Sequence, residues 1–398
     1  MSFYNLGIAP KIIEIIEHLK FKTATPIQHK AIPLGLEGQD IIGIAQTGTG
    51  KTMAFAIPMI QQLAQNKKYG LVLVPTRELA LQVEESIVKI AHPFNIWTVA
   101  LIGGDPIANQ LRALARNPRV IIATPGRLLD LMEQRKVRLN EVSILVLDEA
   151  DRMLDMGFAP QIEEILKTIP KNRQTMLFSA TIPSAIVAIA SKYMKIPVQV
   201  EIAPTGTTAE HVTHELFIVQ QEMKKELLGK LLVQFRGSVL LFCRTKMGAM
   251  RITRALKNSG HRVAEIHSDR SLSQRRQALE GFKSGKYRVL VATDIAARGI
   301  DVRNIELVIN YDLPDQAENY VHRIGRTGRA GSPGHAISFA RPDQRGDVSS
   351  IEQLIKTTLP ISQHPEIPAV DFSKPQSVFS FNRFQRRPSG GRGRRGRR

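Results

Sequence analysis

The chain has one cysteine and one tryptophan in 398 residues, aromatics make up 6% of it, and long apolar runs are missing. With only Cys243, an intrachain disulfide framework is excluded, and a reducing interior suits the composition. No apolar stretch approaches the roughly 20 residues that cross a bilayer. The opening MSFYNLGIAP holds neither a basic cluster nor a signal-like apolar segment. A cytoplasmic protein without membrane attachment is expected. Acids are scarce as well: 36 Asp and Glu face 55 Lys and Arg, for a net charge of +19. None follows Asp371, and the chain closes RRPSGGRGRRGRR. Such an excess points to a polyanion as partner, most simply nucleic acid, although a merely soluble basic protein has the same balance.

What is present is a globular composition, 43% apolar, in a chain long enough for two domains. From about 30 to 200, short β-branched runs alternate with helix-like segments: DIIGIA (40–45), GLVLVP (70–75), TVALI (98–102), VIIAT (120–124), ILVLD (144–148) and TMLFSA (175–180). Their nearly unbroken apolar character fits strands buried on both faces of a parallel sheet, and segments such as ELALQVEESIVKIA (78–91) have helical spacing between them. APTGTTAE (203–210) interrupts the pattern, which then resumes with HELFIVQ, SVLLFCR, RVAEIH, YRVLVAT, IELVINY and HAISFA. The expected organisation is an α/β domain over 1–203, a linker at 204–210, a second α/β domain over 211–360 and a disordered Arg/Gly-rich tail over 361–398. Cys243, in LLFC, and Trp97 are assigned to packing.

Chemistry enters at AQTGTGKT, residues 45–52, between the strand DIIGI and the helix-like MAFAIPMIQQLA. This nearly matches the phosphate-binding loop, with Ala45 where the strict pattern has its first glycine. Gly48 and Gly50 let backbone N–H groups converge on phosphate oxygens, Lys51 reaches the β- and γ-phosphates, and Thr52 holds Mg²⁺. Ala45, Gln46, Thr47 and Thr49 complete the loop. Such a site needs a second strand ending in a metal-holding acid. In ILVLDEAD, residues 144–151, Asp148 ends the apolar run as that acid, and Glu149 is placed to orient and deprotonate the attacking water. No His/Cys cluster of metal-binding spacing surrounds His322.

With AQTGTGKT and DEAD (148–151) in place, the chain resembles the DEAD-box ATP-dependent RNA helicases of superfamily 2, and among them the RhlE-like bacterial group. The resemblance runs over about residues 3–345. It rests also on KTATPIQ (22–28), PTRELA (75–80), GG (103–104), TPGR (124–127), SAT (179–181), LLFCRTK (240–246), ATDIAARGID (292–301) and HRIGRTGR (322–329). It implies two tandem RecA-like domains, each a mostly parallel sheet flanked by helices, with ATP and Mg²⁺ as cofactors. RNA, single-stranded or in short duplexes and largely independent of sequence, is the implied partner. The core is expected to be monomeric, and ribosome assembly and RNA decay are the family's settings.

By the same resemblance Gln28 reads the adenine edge, Phe21 stacks on the base and Asp301 bonds the ribose. Arg326 and Arg329 come from the second domain to stabilise the phosphoryl transition state. Asp151 couples the halves through Ser179, Thr181 and His322. RNA contacts fall to Arg77, Gly104, Thr124, Gly126 and Arg127 in the first domain, and to Arg244, Arg275, Thr293 and Arg298 in the second. Two departures stand out: Leu272 occupies the place of a glutamine in the family's Gln-x-x-Arg motif, and Lys20 stands where many members have glycine. In the tail, Phe381 and Phe384 precede the arginine run and suit charge and stacking contacts with single strands. Two rival readings stay open at this point, a superfamily enzyme acting on DNA and a non-enzymatic RNA-annealing chaperone.

Overall fold

The structure is a computed structural model that describes residues 1–46, 48–202, 212–294, 305–328 and 334–372. The first half contains strands β1 (Ile41–Ile44), β2 (Tyr69–Leu73), β3 (Thr98–Leu101), β4 (Val120–Ala123), β5 (Val142–Asp148), β6 (Gln174–Ser179) and β7 (Val198–Glu201). They form one sheet in the order β3-β4-β2-β5-β6-β1-β7, and every pairing is parallel. Its helices are α1 (Pro10–His18), α2 (Pro26–Leu36), α3 (Lys51–Gln65), α4 (Arg77–Ala91), α5 (Ile107–Leu114), α6 (Pro125–Glu133), α7 (Ala150–Asp155), α8 (Ala159–Thr168) and α9 (Ser184–Tyr193).

The second half repeats the plan with β8 (Val212–Ile218), β9 (Val239–Cys243), β10 (Val263–Ile266), β11 (Val289–Thr293), β12 (Leu307–Asn310) and β13 (Gly334–Ala340). Their order is β10-β11-β9-β12-β13-β8, again with parallel pairing throughout. Helices α10 (Lys224–Gln234), α11 (Lys246–Asn258), α12 (Leu272–Lys283), α13 (Ala317–Ile324) and α14 (Arg345–Ile355) accompany it. These are two RecA-like α/β units.

Burial on both faces explains the strand sequences. Along β5, Ile144 and Val146 join the core cluster that packs with α1 to α4, while Leu145 and Leu147 join the one under α6 to α9. A strand that alternates between two apolar layers reads as an unbroken hydrophobic run. Cys243 is fully buried in the second half's core.

Three expectations need correction. Strand β7 was not anticipated: its sequence VQVE buries only Val200, because it lies at the sheet edge and has one partner, β1. Trp97 is 52% exposed, touching His92 edge-on at 6.1 Å, so it is a surface residue. Residues 361–372, assigned by composition to the tail, pack on the second half. Ile361 bridges Leu216 beside β8, Ile367 is buried with α10, and Phe372 packs against the cluster of Leu313 and Tyr320. The expected linker lies within 203–211 and the aromatic-arginine run within 373–398, both outside the described residues.

Lys20 has φ 62°, the left-handed region that favours glycine, immediately before Phe21. The departure noted in the sequence therefore carries a backbone cost of roughly 1 kcal/mol. Lys20→Gly is expected to stabilise the chain by up to about 1 kcal/mol, read as a higher urea midpoint with an unchanged slope.

Candidate active site

Three segments converge at the C-terminal ends of neighbouring strands, where open α/β sheets bind ligands. The phosphate loop leaves β1, the acids leave β5, and β6 lies between these strands and ends at Ser179. Adjacent strands are about 4.8 Å apart, so the Ser179-Ala180-Thr181 turn sits between loop and acids.

The loop is shaped for phosphate. Gly50 caps α3 with φ 92°, and a Cβ there would collide with the Gln28 amide. Gln28, 4% exposed, accepts the Thr25 N–H at 3.0 Å through Oε1 and donates from Nε2 to the Gly50 carbonyl at 3.0 Å. Its amide thus braces the loop against the start of α2. Thr49 Oγ1 donates to the Gln46 carbonyl at 2.7 Å. Lys51, 6% exposed, donates from Nζ to the Ala45 carbonyl at 2.9 Å. Ala45 supplies that carbonyl and Gly48 adds a second positive φ, 86°. Thr52 occupies the second position of α3, whose free N–H groups and dipole face the loop. Phe21 is 39% exposed ahead of α2. Thr47 lies outside the described residues.

Asp148, Glu149 and Asp151 are 3%, 3% and 4% exposed, and each is handled differently. Burial pushes the Asp148 carboxyl up to about 6, against Lys51, and its Oδ1 accepts the Glu149 N–H at 3.0 Å. Burial acts upward on Glu149 too, but Arg152, Lys51 and Arg326 outweigh it and hold the acid below its ordinary value. Arg152 pairs with Glu149 at 2.6 Å, both side chains under 5% exposed. Glu149 itself has φ 52°, a strained conformation for a non-glycine residue at the hinge from β5 into α7.

Asp151 turns away to β6. Its Oδ2 accepts the Ala180 N–H, the Thr181 N–H and the Thr181 hydroxyl, each at 3.0 Å, and its own N–H donates to Ser179 Oγ at 3.3 Å. Burial works against its ionisation, yet Lys51, the Arg152 N–H and the Arg152 guanidinium hold it below the usual carboxylate range. His322 comes from α13 of the second half. Its own burial and Arg152 pull the imidazole down to about 4, against Asp151, so it is neutral at pH 7. Arg326, 3% exposed, donates from Nε to the His322 carbonyl at 3.3 Å. Arg152, His322 and Arg326 also line one small pocket, which contains groups from both halves. Asp301 and Arg329 lie outside the described residues.

A second constellation lies along the first half's strand ends. The Arg77 guanidinium is stacked under Gly104, whose φ is 74° and whose missing Cβ leaves it room. Burial lowers the Arg77 pKa, helped by repulsion from Arg275 and Arg127 and opposed by Glu78. Thr124 caps α6, Gly126 sits in its first turn facing open space, and Arg127 donates to the Asp105 carbonyl at 3.4 Å. In the second half, Arg244 and Thr293 leave adjacent strand ends, since Thr293 pairs with Cys243. Arg244 is held by Asp315 at 3.1 Å. Arg298 lies outside the described residues. Arg275 departs from expectation: it is 9% exposed and pairs with Glu78 of the first half at 2.7 Å.

Two buried arginines beside the site, Arg152 and Arg323, escaped the sequence reading. Arg152 was findable, being three residues from Glu149 on a helix. Arg323 was harder: it grips Asp294 at 2.6 and 2.7 Å, the Asn310 side chain at 3.2 Å and the Asp312 carbonyl at 2.6 Å, tying α13 to two strand ends.

Fold and sites together define a two-domain nucleotide-binding enzyme of RecA-like architecture. Residues 25–189 match the DEAD/DEAH box helicase family and residues 223–331 the helicase conserved C-terminal domain, so the chain belongs to the DEAD-box helicase family. It is 44% identical over 367 residues to the ATP-dependent RNA helicase CshA of Listeria monocytogenes, covering 92% of this chain and 71% of that protein. The structure of S. cerevisiae Dbp5 bound to RNA and ADP BeF3 superposes with a TM-score of 0.81 at 32% identity, over 90% of this chain and 95% of Dbp5. A DEAD box protein from the hyperthermophile Methanococcus jannaschii has 37% identity over 91% of this chain and 99% of its own, with a TM-score of 0.54. The curated relatives carry the CshA name, and the RhlE-like subgroup finds no support among them.

The raised Asp148 pKa has a consequence for the chain without nucleotide or metal. The folded state disfavours the charged carboxylate, a cost present in full above pH 6 and gone below the unfolded value near 4. In chelator, Asp148→Asn is expected to raise the melting midpoint at pH 8, by about 2–4 °C per kcal/mol relieved. The gain should vanish toward pH 4, as thermal melts across that range would show.

Proposed function

We propose that this ATP-dependent RNA helicase works by closing its two halves around ATP and one RNA strand, and that the residues above divide the labour. The observation that carries the reading is the cluster of Asp151 and the Ser179–Thr181 turn from the first half with His322 and Arg326 from the second, in which Asp151, Ser179 and Arg326 are buried. The better superposition on the RNA- and nucleotide-bound Dbp5 structure supports a closed arrangement.

ATP would lie on the phosphate loop, its phosphates meeting the N-terminus of α3 and Lys51, which exchanges the Ala45 carbonyl for phosphate oxygens. Gln28 and Phe21 would select and stack the base, with Asp301 on the ribose. The residues fit Mg²⁺: Asp148 is a buried carboxylate at the end of β5 near the phosphate loop, and Mg²⁺ characteristically takes one or two carboxylates plus phosphates. Asp148, desolvated and costly to ionise alone, with Thr52, would hold the ion, which when bound supplies charge neutralisation at the phosphates. Glu149, kept ionised by Arg152, accepts the proton of the attacking water. Arg326 and Arg329 stabilise charge on the transferred group only when the halves are closed.

RNA would run over Arg77, Gly104, Thr124, Gly126 and Arg127 and reach Arg244, Thr293 and Arg298. Crowded, partly buried like charges favour an anion there, and phosphate contacts carry little sequence information. We place the domain boundary within the 204–210 linker and the work of the enzyme in the cytoplasm; no helix among the described residues is long and apolar enough to cross a membrane.

ATP turnover should rise with single-stranded RNA and not with DNA of the same sequence; equal stimulation would favour the DNA-acting reading. Glu149→Gln is expected to cut turnover by about 10²–10⁴ and abolish strand separation; unaltered separation would favour the annealing chaperone. Asp151→Asn places an amide N–H group against the Ala180 and Thr181 donors. It should lower RNA-stimulated turnover about tenfold or more, with ATP affinity measured by a fluorescent analogue little changed. Loss of ATP binding instead would reassign Asp151 to the nucleotide site.

A further inference from the structure

We propose that Leu272 and Arg275 form a latch that lets the two halves close on ATP without RNA. Helix α12 opens with Leu272, where the resembling motif has glutamine. Ser271 and Gln274 fix that opening: Ser271 Oγ accepts the Gln274 N–H at 3.2 Å, and Gln274 Oε1 accepts the Ser271 N–H at 3.0 Å. Leu272, half-buried, packs against the apolar core of the first half, not of its own. Three residues on, and so on the same helix face, Arg275 pairs with Glu78 at the start of α4. Both partners' side chains are 10% exposed or less. Beyond this pair, α4 and α12 flank an open groove of about 530 Å³.

These contacts differ in kind from the ones that RNA supplies. Leucine has no donor or acceptor for a phosphate; its gain comes from leaving water, which closure provides whether or not RNA is present. The Glu78–Arg275 pair, desolvated by the same closure, is likewise complete without RNA. The Leu272 contact stabilises the closed form with or without RNA, and the Glu78–Arg275 pair offsets the repulsion between Arg275 and Arg77, so Leu272 raises the closed population of the ATP-bound, RNA-free enzyme. If RNA stimulates turnover by populating the closed form, a higher starting population lowers the stimulation ratio. A glutamine at this position would stay hydrated until RNA arrived, and closure would wait for it.

The inference rests on the closure reading above, and the two fail separately. RNA stimulation of the unmodified chain tests closure; the change on altering Leu272 tests the latch. The experiment follows closure in the full chain by energy transfer between dyes on cysteines introduced one per half; Cys243 is fully buried. A non-hydrolysable ATP analogue is added, with and without single-stranded RNA. Leu272→Gln is expected to lower the closed-to-open ratio without RNA about fivefold or more, the factor of a modest apolar contact, and RNA should restore closure. RNA-free ATP turnover should fall alongside, so the stimulation ratio rises. Leu272→Met should keep the original behaviour, and matching thermal melts would show that both variants are folded. An unaltered RNA-free closed population in Leu272→Gln, or none in the unmodified chain, would overturn the latch.

Discussion

Burying three carboxylates within four residues at the end of β5 is the constraint on which the site depends. Each charge taken out of water costs several kcal/mol unless something nearby compensates it. Asp148 goes largely uncompensated and carries a raised pKa, which suits a group that awaits a cation. Glu149 is compensated at once by Arg152, in the same helix start. Asp151 is compensated by Lys51 and by backbone N–H groups of its own helix start and of the neighbouring strand end. In the proposed mechanism one acid is left for metal and one is kept ionised for water, while Asp151 is tied to the Ser179–Thr181 turn.

This division depends on strand order. Because β6 lies between β1 and β5, the Ser179–Thr181 turn touches the acids on one side and neighbours the phosphate loop on the other. In the proposed mechanism a change at the nucleotide would pass one strand's width before it reached His322 and Arg326. The neutral state of His322 fits a partner that recognises by hydrogen bonding and shape. In the proposed mechanism Arg77 and Arg127, just past the ends of β2 and β4, supply the complementary half of the coupling, a surface whose like charges an anion would ease. Arg275 belongs to both halves at once, since its charge repels Arg77 while its guanidinium pairs with Glu78.

Much of this was legible in one dimension. The phosphate loop, the acids and the arginine-rich segments are contiguous motifs set beside recognisable buried strands, and the glycines of the loop announce the backbone they adopt. Residues whose roles arise from contacts distant in sequence were not legible. Arg323 reads as one more basic residue of HRIGRTGR, and only folding brings Asp294 and Asn310 to it. Trp97 was assigned inward on hydrophobicity, although a single exposed aromatic on a loop leaves no periodic trace. Ile361, Ile367 and Phe372 were hidden in a Pro- and polar-rich stretch whose composition resembles a tail, because three spaced anchors suffice to hold an extended segment.

The sequence by itself determined the parallel α/β architecture, the nucleotide chemistry and the affinity for a polyanion, since each is set by local pattern, spacing or total charge. Only the tertiary structure decided how the charges are shared: that Gln28, expected at the adenine edge, also braces the phosphate loop, that Arg152 keeps Glu149 ionised, and that Leu272 and Arg275 face the other half. Those outcomes depend on burial, which changes the cost of a charge or a methyl group, and burial is a property of neighbours that the chain acquires only by folding.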